Sequence, residues 1–148
     1  MILKLNKGSN LSHKTTVKTK LNNLFYIEKA LKDMKCEYQI AEEGQTLKTG
    51  GNYSNTYSDV DILITKVNDK NTKGAIGLKK QKDGTYQAIG DFWDAGLNAS
   101  SFKGDLVTGA KKSEVIDRLR RKGFKLSGQS KLTEKGKNLN KFTFTRWV

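Results

Sequence analysis

Residues 59–67, DVDILITKV, constrain the fold of this chain more than any other stretch, being rich in branched aliphatics with polar loops on either side. β-Branched side chains fit a pleated, half-buried surface better than a helix, so the run predicts a central strand. Residues 75–82 and 85–93 repeat the pattern, with Asp83 and Gly84 between them. A two-residue hairpin turn needs left-handed backbone at its centre, which Asp-Gly supplies at little cost. The three runs are therefore expected as consecutive antiparallel strands.

Such a sheet must be covered, and the flanking sequence offers the cover. Residues 14–21, KTTVKTKL, alternate so that Val17 and Leu21 take one side and Lys14, Thr16, Lys18 and Lys20 the other, which predicts a further strand with one wet face. Asn22 or Asn23 can cap a helix to about residue 35, with Leu24, Ile27, Leu31 and Met34 as its apolar stripe and Glu28 four residues before Lys32. Residues 37–41 read as a short strand. Residues 42–58 read as a polar surface loop with the tip TGGNYSN. A second helix is expected over 113–122, opened by Ser113 and closed by Gly123, followed by a hairpin pairing 124–132 with 139–148. The sum is an α+β fold: a single antiparallel sheet of about six strands with two helices packed on one face. A length of 148 residues suits one domain with one core of moderate size.

No run approaches the roughly 18 apolar residues of a membrane span, and the first ten residues lack the apolar centre of a signal peptide. Cys36 is the single cysteine, so no internal disulfide can form, and no Cys/His pairing offers zinc a site. A reducing, cytoplasm-like compartment is expected. No glycine-rich phosphate loop is present, and neither cofactor nor metal is implied.

Charge is the other strong feature. The chain carries 28 Lys and Arg against 15 acids, a net +13, and residues 101–148 hold thirteen bases against four acids, hence +9 of that total. All four arginines, Arg118, Arg120, Arg121 and Arg146, lie there. Such a field attracts polyanions and makes their binding salt-dependent, whether the partner is RNA, DNA or an acidic protein.

The series SHKTTVKTKL, a helix ending in ALKDM, then DVDI, AIGL, DFW, KGF and a final RW resembles an uncharacterised family first named as hypothetical chloroplast reading frame thirty-five. The resemblance runs over nearly the whole chain from Leu11 onward. It implies a short single-domain protein of the kind found in algal plastids and photosynthetic bacteria, with relatives in other bacteria and phages, and it implies no particular activity. It would place the protein in the cytoplasm, a plastid stroma or a phage-infected host. Members begin at Met-Ser-His, matched here by Ser12 and His13, so residues 1–11 read as an N-terminal extension and 12–148 as the domain. The polar-basic-aromatic run that members carry before the second helix corresponds here to Thr108, Gly109 and Ala110, a departure that leaves any function of that run unsupported in this chain.

Catalytic groupings are sparse. His13 is the sole histidine, and Ser12 beside it would point to the opposite face of a strand. Asp59 and Asp61, two apart, would share a face as an acid or metal pair does, yet no third ligand is spaced to join them. Asp91 and Asp94 bracket an aromatic pair in DFWDAG and read equally as a turn.

The basic end carries more. On a helix over 113–122, Val115, Ile116 and Leu119 would face the core, while Glu114 would pair with Arg118 and Asp117 with Arg121, leaving a solvated face. Lys125, Lys131, Lys135, Lys137 and Lys141 then follow with only Glu134 against them. In KFTFTRWV, Phe142 and Phe144 are placed inward, with Lys141, Thr143, Thr145 and Trp147 outward. That face shares the Lys and Thr character of Lys18, Lys20 and their neighbours. A basic sheet face with an occasional aromatic suits phosphate contact and base stacking, and it equally suits an edge strand guarded by lysines. The expectation is a non-enzymatic accessory module for RNA or another polyanion, acting through Lys125, Lys131, Lys135, Lys137, Lys141, Lys18, Lys20 and Trp147. The alternatives are an adaptor for an acidic protein partner and an enzyme using His13 with Asp59 or Asp61.

Overall fold

The computed structural model describes residues 14–50, 57–134 and 137–146. The chain divides into two compact units, Met1–Ala110 and Lys111–Val148.

In the first unit the strands are β1 (Lys14–Lys18), β2 (Glu37–Ile40), β5 (Ile62–Val67), β6 (Lys70–Lys80) and β7 (Tyr86–Asp91), with β3 (Leu47–Lys48) and β4 (Asp59–Val60) forming a small sheet of their own. The main sheet has five strands in the order β1-β7-β6-β5-β2, and every neighbouring pair is antiparallel. The meander β5-β6-β7 is the one its alternation and its Asp-Gly turn predict. At that turn Gly84 takes φ +89 and Asp83 Oδ1 accepts from the Thr85 amide at 2.9 Å.

Register places Val17, Ala88, Leu78, Ile62 and Ile40 in one row across all five strands. That row faces the helices. Helix α1 (Leu24–Asp33), capped by Asn23, buries Tyr26, Ile27, Ala30 and Leu31 against it, and the first half of α2 (Ala99–Arg121) adds Phe102, Leu106 and Ala110. Ile27, Leu31, Ile62, Ile64, Ile76, Leu78 and Leu106 are fully buried, and each side chain of this kind contributes about 1.5–3 kcal/mol relative to exposure. Glu28 does not act as the expected partner of Lys32; its carboxylate accepts from the Tyr38 hydroxyl at 2.7 Å.

The opposite face is closed by the excursion between β2 and β5. Leu47 and Val60 pack on Ile89, with Ala41 and Leu63 beside them. Gly77 makes room: a Cβ there would lie 2.5 Å from the Ile62 carbonyl oxygen and 2.8 Å from Val60 Cγ1. The polar stretch expected as a surface loop thus contributes β3, and the expected strand over 59–67 is split at Asp61, whose carboxylate accepts from the Lys80 amide at 2.7 Å, its first two residues pairing with β3 as β4. The tip over 51–56 lies outside the described residues.

Helix α2 starts at Ala99, well before the expected 113. Asn98 Oδ1 caps it through the Ser101 amide at 2.9 Å, and Phe102, Leu106 and Ala110 recur every fourth residue along its buried stripe. The remainder of α2, from Lys111, belongs to the second unit with β8 (Phe124–Glu134) and β9 (Lys137–Arg146), which form a two-stranded sheet separate from the main one. Val115, Ile116 and Leu119 do not enter a core there: Val115 is 43% exposed and the other two are half-buried. Half a helix and one hairpin provide too little apolar surface to enclose a side chain.

Among the described residues no helix is long and apolar enough to cross a membrane.

Candidate functional site

The second unit holds twelve Lys and Arg against three acids, so +9 of the chain's +13 falls in 38 residues (111–148). The ladder arranges this charge. Lys125 opposes Thr145, Gly128 opposes Thr143, and Ser130 opposes Lys141, which puts Lys125, Lys141, Thr143 and Thr145 on one face. All four are exposed, while Phe142 and Phe144 on the other face are half-buried, as the sequence predicts. A bulge between Leu126 and Gly128 keeps Lys125 on the Lys141 side, because the extra residue Ser127 shifts the pleat by one. The Ser127 hydroxyl fixes the bulge by donating to the Thr143 carbonyl at 3.1 Å. At the base of the ribbon the Arg146 guanidinium lies 5.6 Å from the centre of the Phe124 ring. Along the ladder Lys131 opposes Asn140 and Lys137 opposes Glu134. Lys135 and Trp147 lie outside the described residues.

On α2 the predicted pairs form. Arg118 reaches Glu114 at 2.6 Å and Arg121 reaches Asp117 at 3.8 Å, with Lys111 also 4.0 Å from Glu114. These arginines are largely exposed, and pairs of this kind are worth only about 0.3–0.5 kcal/mol. Their effect is to occupy both acids of this half-helix. Arg120 and Lys122 are exposed with no ion pair among the described residues.

Lys18 and Lys20 sit in the first unit, where Lys14, Thr16, Lys18 and Lys20 are all exposed at the β1 edge of the main sheet. A lysine-bearing edge also resists pairing with another chain. The predicted binding residues are thus distributed over both units, with Lys125 and Lys141 brought to one described face.

Among the described residues, the candidate acids Asp59 and Asp61 have structural partners. Asp59 is paired with Lys48 at 2.7 Å, and that hydrogen bond and charge hold its exposed carboxyl below the usual range. Asp59 and Asp61 do line one shallow cleft of about 140 Å³ with Gln45, Thr46, Val60 and Lys79. Among the described residues no three His, Cys, Asp or Glu side chains gather as a metal site would require. His13 lies outside the described residues. Burial pushes the Cys36 thiol up to about 11, which keeps it protonated and unreactive at neutral pH.

The corner DFWDAG, which reads as a turn in the sequence, is more than that in the fold. Asp91 and Asp94 are both buried; Asp91 Oδ1 accepts from the Asp94 amide at 2.9 Å, and Lys73 Nζ lies 3.3 Å from Asp94 Oδ1. Lys70 ties the same corner by donating to the Gly96 carbonyl at 3.0 Å. Trp93 projects from it, 60% exposed. Two acids at the end of a strand are the available signal, since only burial distinguishes a clamp from an ordinary loop.

Residues 30–139 match the model of the family described as "protein of unknown function (DUF1257)", and the chain belongs to that family. No curated protein and no solved structure matches it.

Proposed function

We propose that the protein is a non-enzymatic basic module that binds RNA or another polyanion, acting as an accessory within a larger assembly. The observation that carries this reading is the exposed ribbon face bearing Lys125, Lys141, Thr143 and Thr145, set in a unit with a net charge of +9. Like charges held this close repel one another, and an anion relieves that repulsion while releasing its own counterions. Kinship with the plastid reading frame, and residence in a cytoplasm or stroma where nucleic acid is present, belong to the same proposal.

The test is a salt series. Binding of the full chain to a labelled RNA strand should weaken linearly in log affinity against log salt. Replacing Lys131, Lys135 and Lys137 together by Gln should flatten that slope by roughly 2–3 units, about 0.7–0.9 for each phosphate no longer neutralised. Replacing Arg118 and Arg121 by Gln should leave it nearly unchanged. Absence of salt-dependent binding would remove the reading and leave an adaptor for an acidic protein as the alternative. Loss of binding in the arginine pair alone would make α2 the recognition element.

A further inference from the structure

We infer that the polyanion is double-stranded DNA and that the β8–β9 ribbon enters its major groove. This rests on the polyanion reading above and specifies its ligand.

Strands of 11 and 10 residues paired along nearly their whole length make a ribbon roughly 33–36 Å long at the usual strand rise. One turn of B-form DNA rises about 34 Å, and its major groove, about 12 Å wide, admits a two-stranded antiparallel ribbon laid face down. Such insertion requires a ribbon with one polar face to present and one face turned away. Lys125, Thr143, Thr145 and Lys141 make the first, and half-buried Phe142 and Phe144 lie on the second. The bulge at Ser127 increases the local right-handed twist, and a ribbon that follows a helical groove needs twist.

The chemistry of the polar face agrees. Lys141 stands four ladder positions from Thr145, the partner of Lys125, so the two lysines are separated by roughly 13 Å along the ribbon at the usual strand rise. Because Lys125 is on β8 and Lys141 on β9, each is on the side of one groove wall and suits its phosphates. The hydroxyls of Thr143, between them along the ribbon, and of Thr145, opposite Lys125, share the face turned to base edges, to which Ser and Thr can either donate or accept. The lysines and hydroxyls described on this face suit phosphates and base edges. The A-form duplex is excluded by width, because its major groove is too deep and narrow for side chains to read.

The experiment measures anisotropy of the full chain with a labelled DNA duplex, its separated strand, a double-stranded RNA of the same sequence, and inorganic polyphosphate as competitor. The DNA duplex should bind tighter than the other three by about tenfold or more. The double variant Lys125→Gln, Lys141→Gln, checked for an unchanged circular dichroism spectrum, should flatten its salt slope by about 2. Methylation of guanine N7 by dimethyl sulfate should be suppressed in the complex, since that atom lies in the major groove. Equal or tighter binding of the single strand, the RNA duplex or polyphosphate would overturn the groove assignment while leaving the polyanion reading in place. Unprotected N7 atoms on bound duplex would do the same. No binding to any of the four would end both.

Discussion

Gly109 and Ala30 touch where α2 passes over α1. A Cβ on Gly109 would lie 2.9 Å from Ala30 Cβ and 3.2 Å from its Cα, and neither neighbour is the far end of a flexible chain. In a helix interior glycine costs about 1 kcal/mol relative to alanine, so its presence here reflects the close approach it permits. Gly109→Ala gains helix propensity but forces the two helices apart. It should therefore destabilise by about 1–3 kcal/mol, read as a lower urea midpoint with an unchanged slope. The resemblance that aligns Thr108, Gly109 and Ala110 with a polar-basic-aromatic run finds a packing answer: Ala110 is buried and Gly109 is where the helices meet. Gly90 is constrained as tightly, by φ +138 and by the Ala75 carbonyl that a Cβ would strike.

At the level of elements, the start of α2 depends on Asn98, whose side chain accepts from the Ser101 amide. Asn98→Ala should cost about 1 kcal/mol, measured by thermal or urea unfolding, whereas the same change at Ser113, inside the helix, should cost little. The contrast explains what the sequence discloses. The meander is legible because period-two alternation, branched aliphatics and an Asp-Gly turn all agree there. Helix α1 is legible because its asparagine cap and apolar stripe agree. The first half of α2 is obscured because Gly104, Thr108 and Gly109 are poor helix formers; the stripe of Phe102, Leu106 and Ala110 prevails through burial that no local propensity announces. The β5–β6 turn is hidden for a related reason, since Asn68 and Asp69 adopt φ +50 and +66 without glycine. Of the candidate surface, Glu114–Arg118, Asp117–Arg121 and the facing of Lys141, Thr143 and Thr145 are legible from spacing alone. The bulge that brings Lys125 to the same face is not, because an inserted ladder residue leaves no periodic trace.

For the molecule as a whole, three weak acids tie stability to alkaline pH. Burial pushes Cys36 up to about 11 from 9.0; burial, with the Glu28 carboxylate next, pushes Tyr38 up to about 12 from 10.0; burial also raises Tyr86. Each keeps its proton longer in the folded chain than in the unfolded one. The stability they contribute is complete below pH 9 and is lost as pH rises from 9 through about 12, because there the unfolded state binds fewer protons. The urea midpoint should fall across that window, and Cys36→Ala should blunt the fall at its lower end. A flat midpoint would mean that these groups titrate as they do in water.

Helix α2 crosses the boundary between the two units, and this affects how its second half comes to exist. An isolated stretch of about eleven residues is marginal as a helix in water, because the first turn fixes several dihedrals for a single hydrogen bond. The turns from Lys111 to Arg121 avoid that nucleation step, since Phe102, Leu106 and Ala110 anchor the turns before them in the core and each added residue only propagates. The basic half-helix is thus seeded by its neighbour. A fragment beginning at Lys111 would have to nucleate on its own, against the mutual repulsion of its cations.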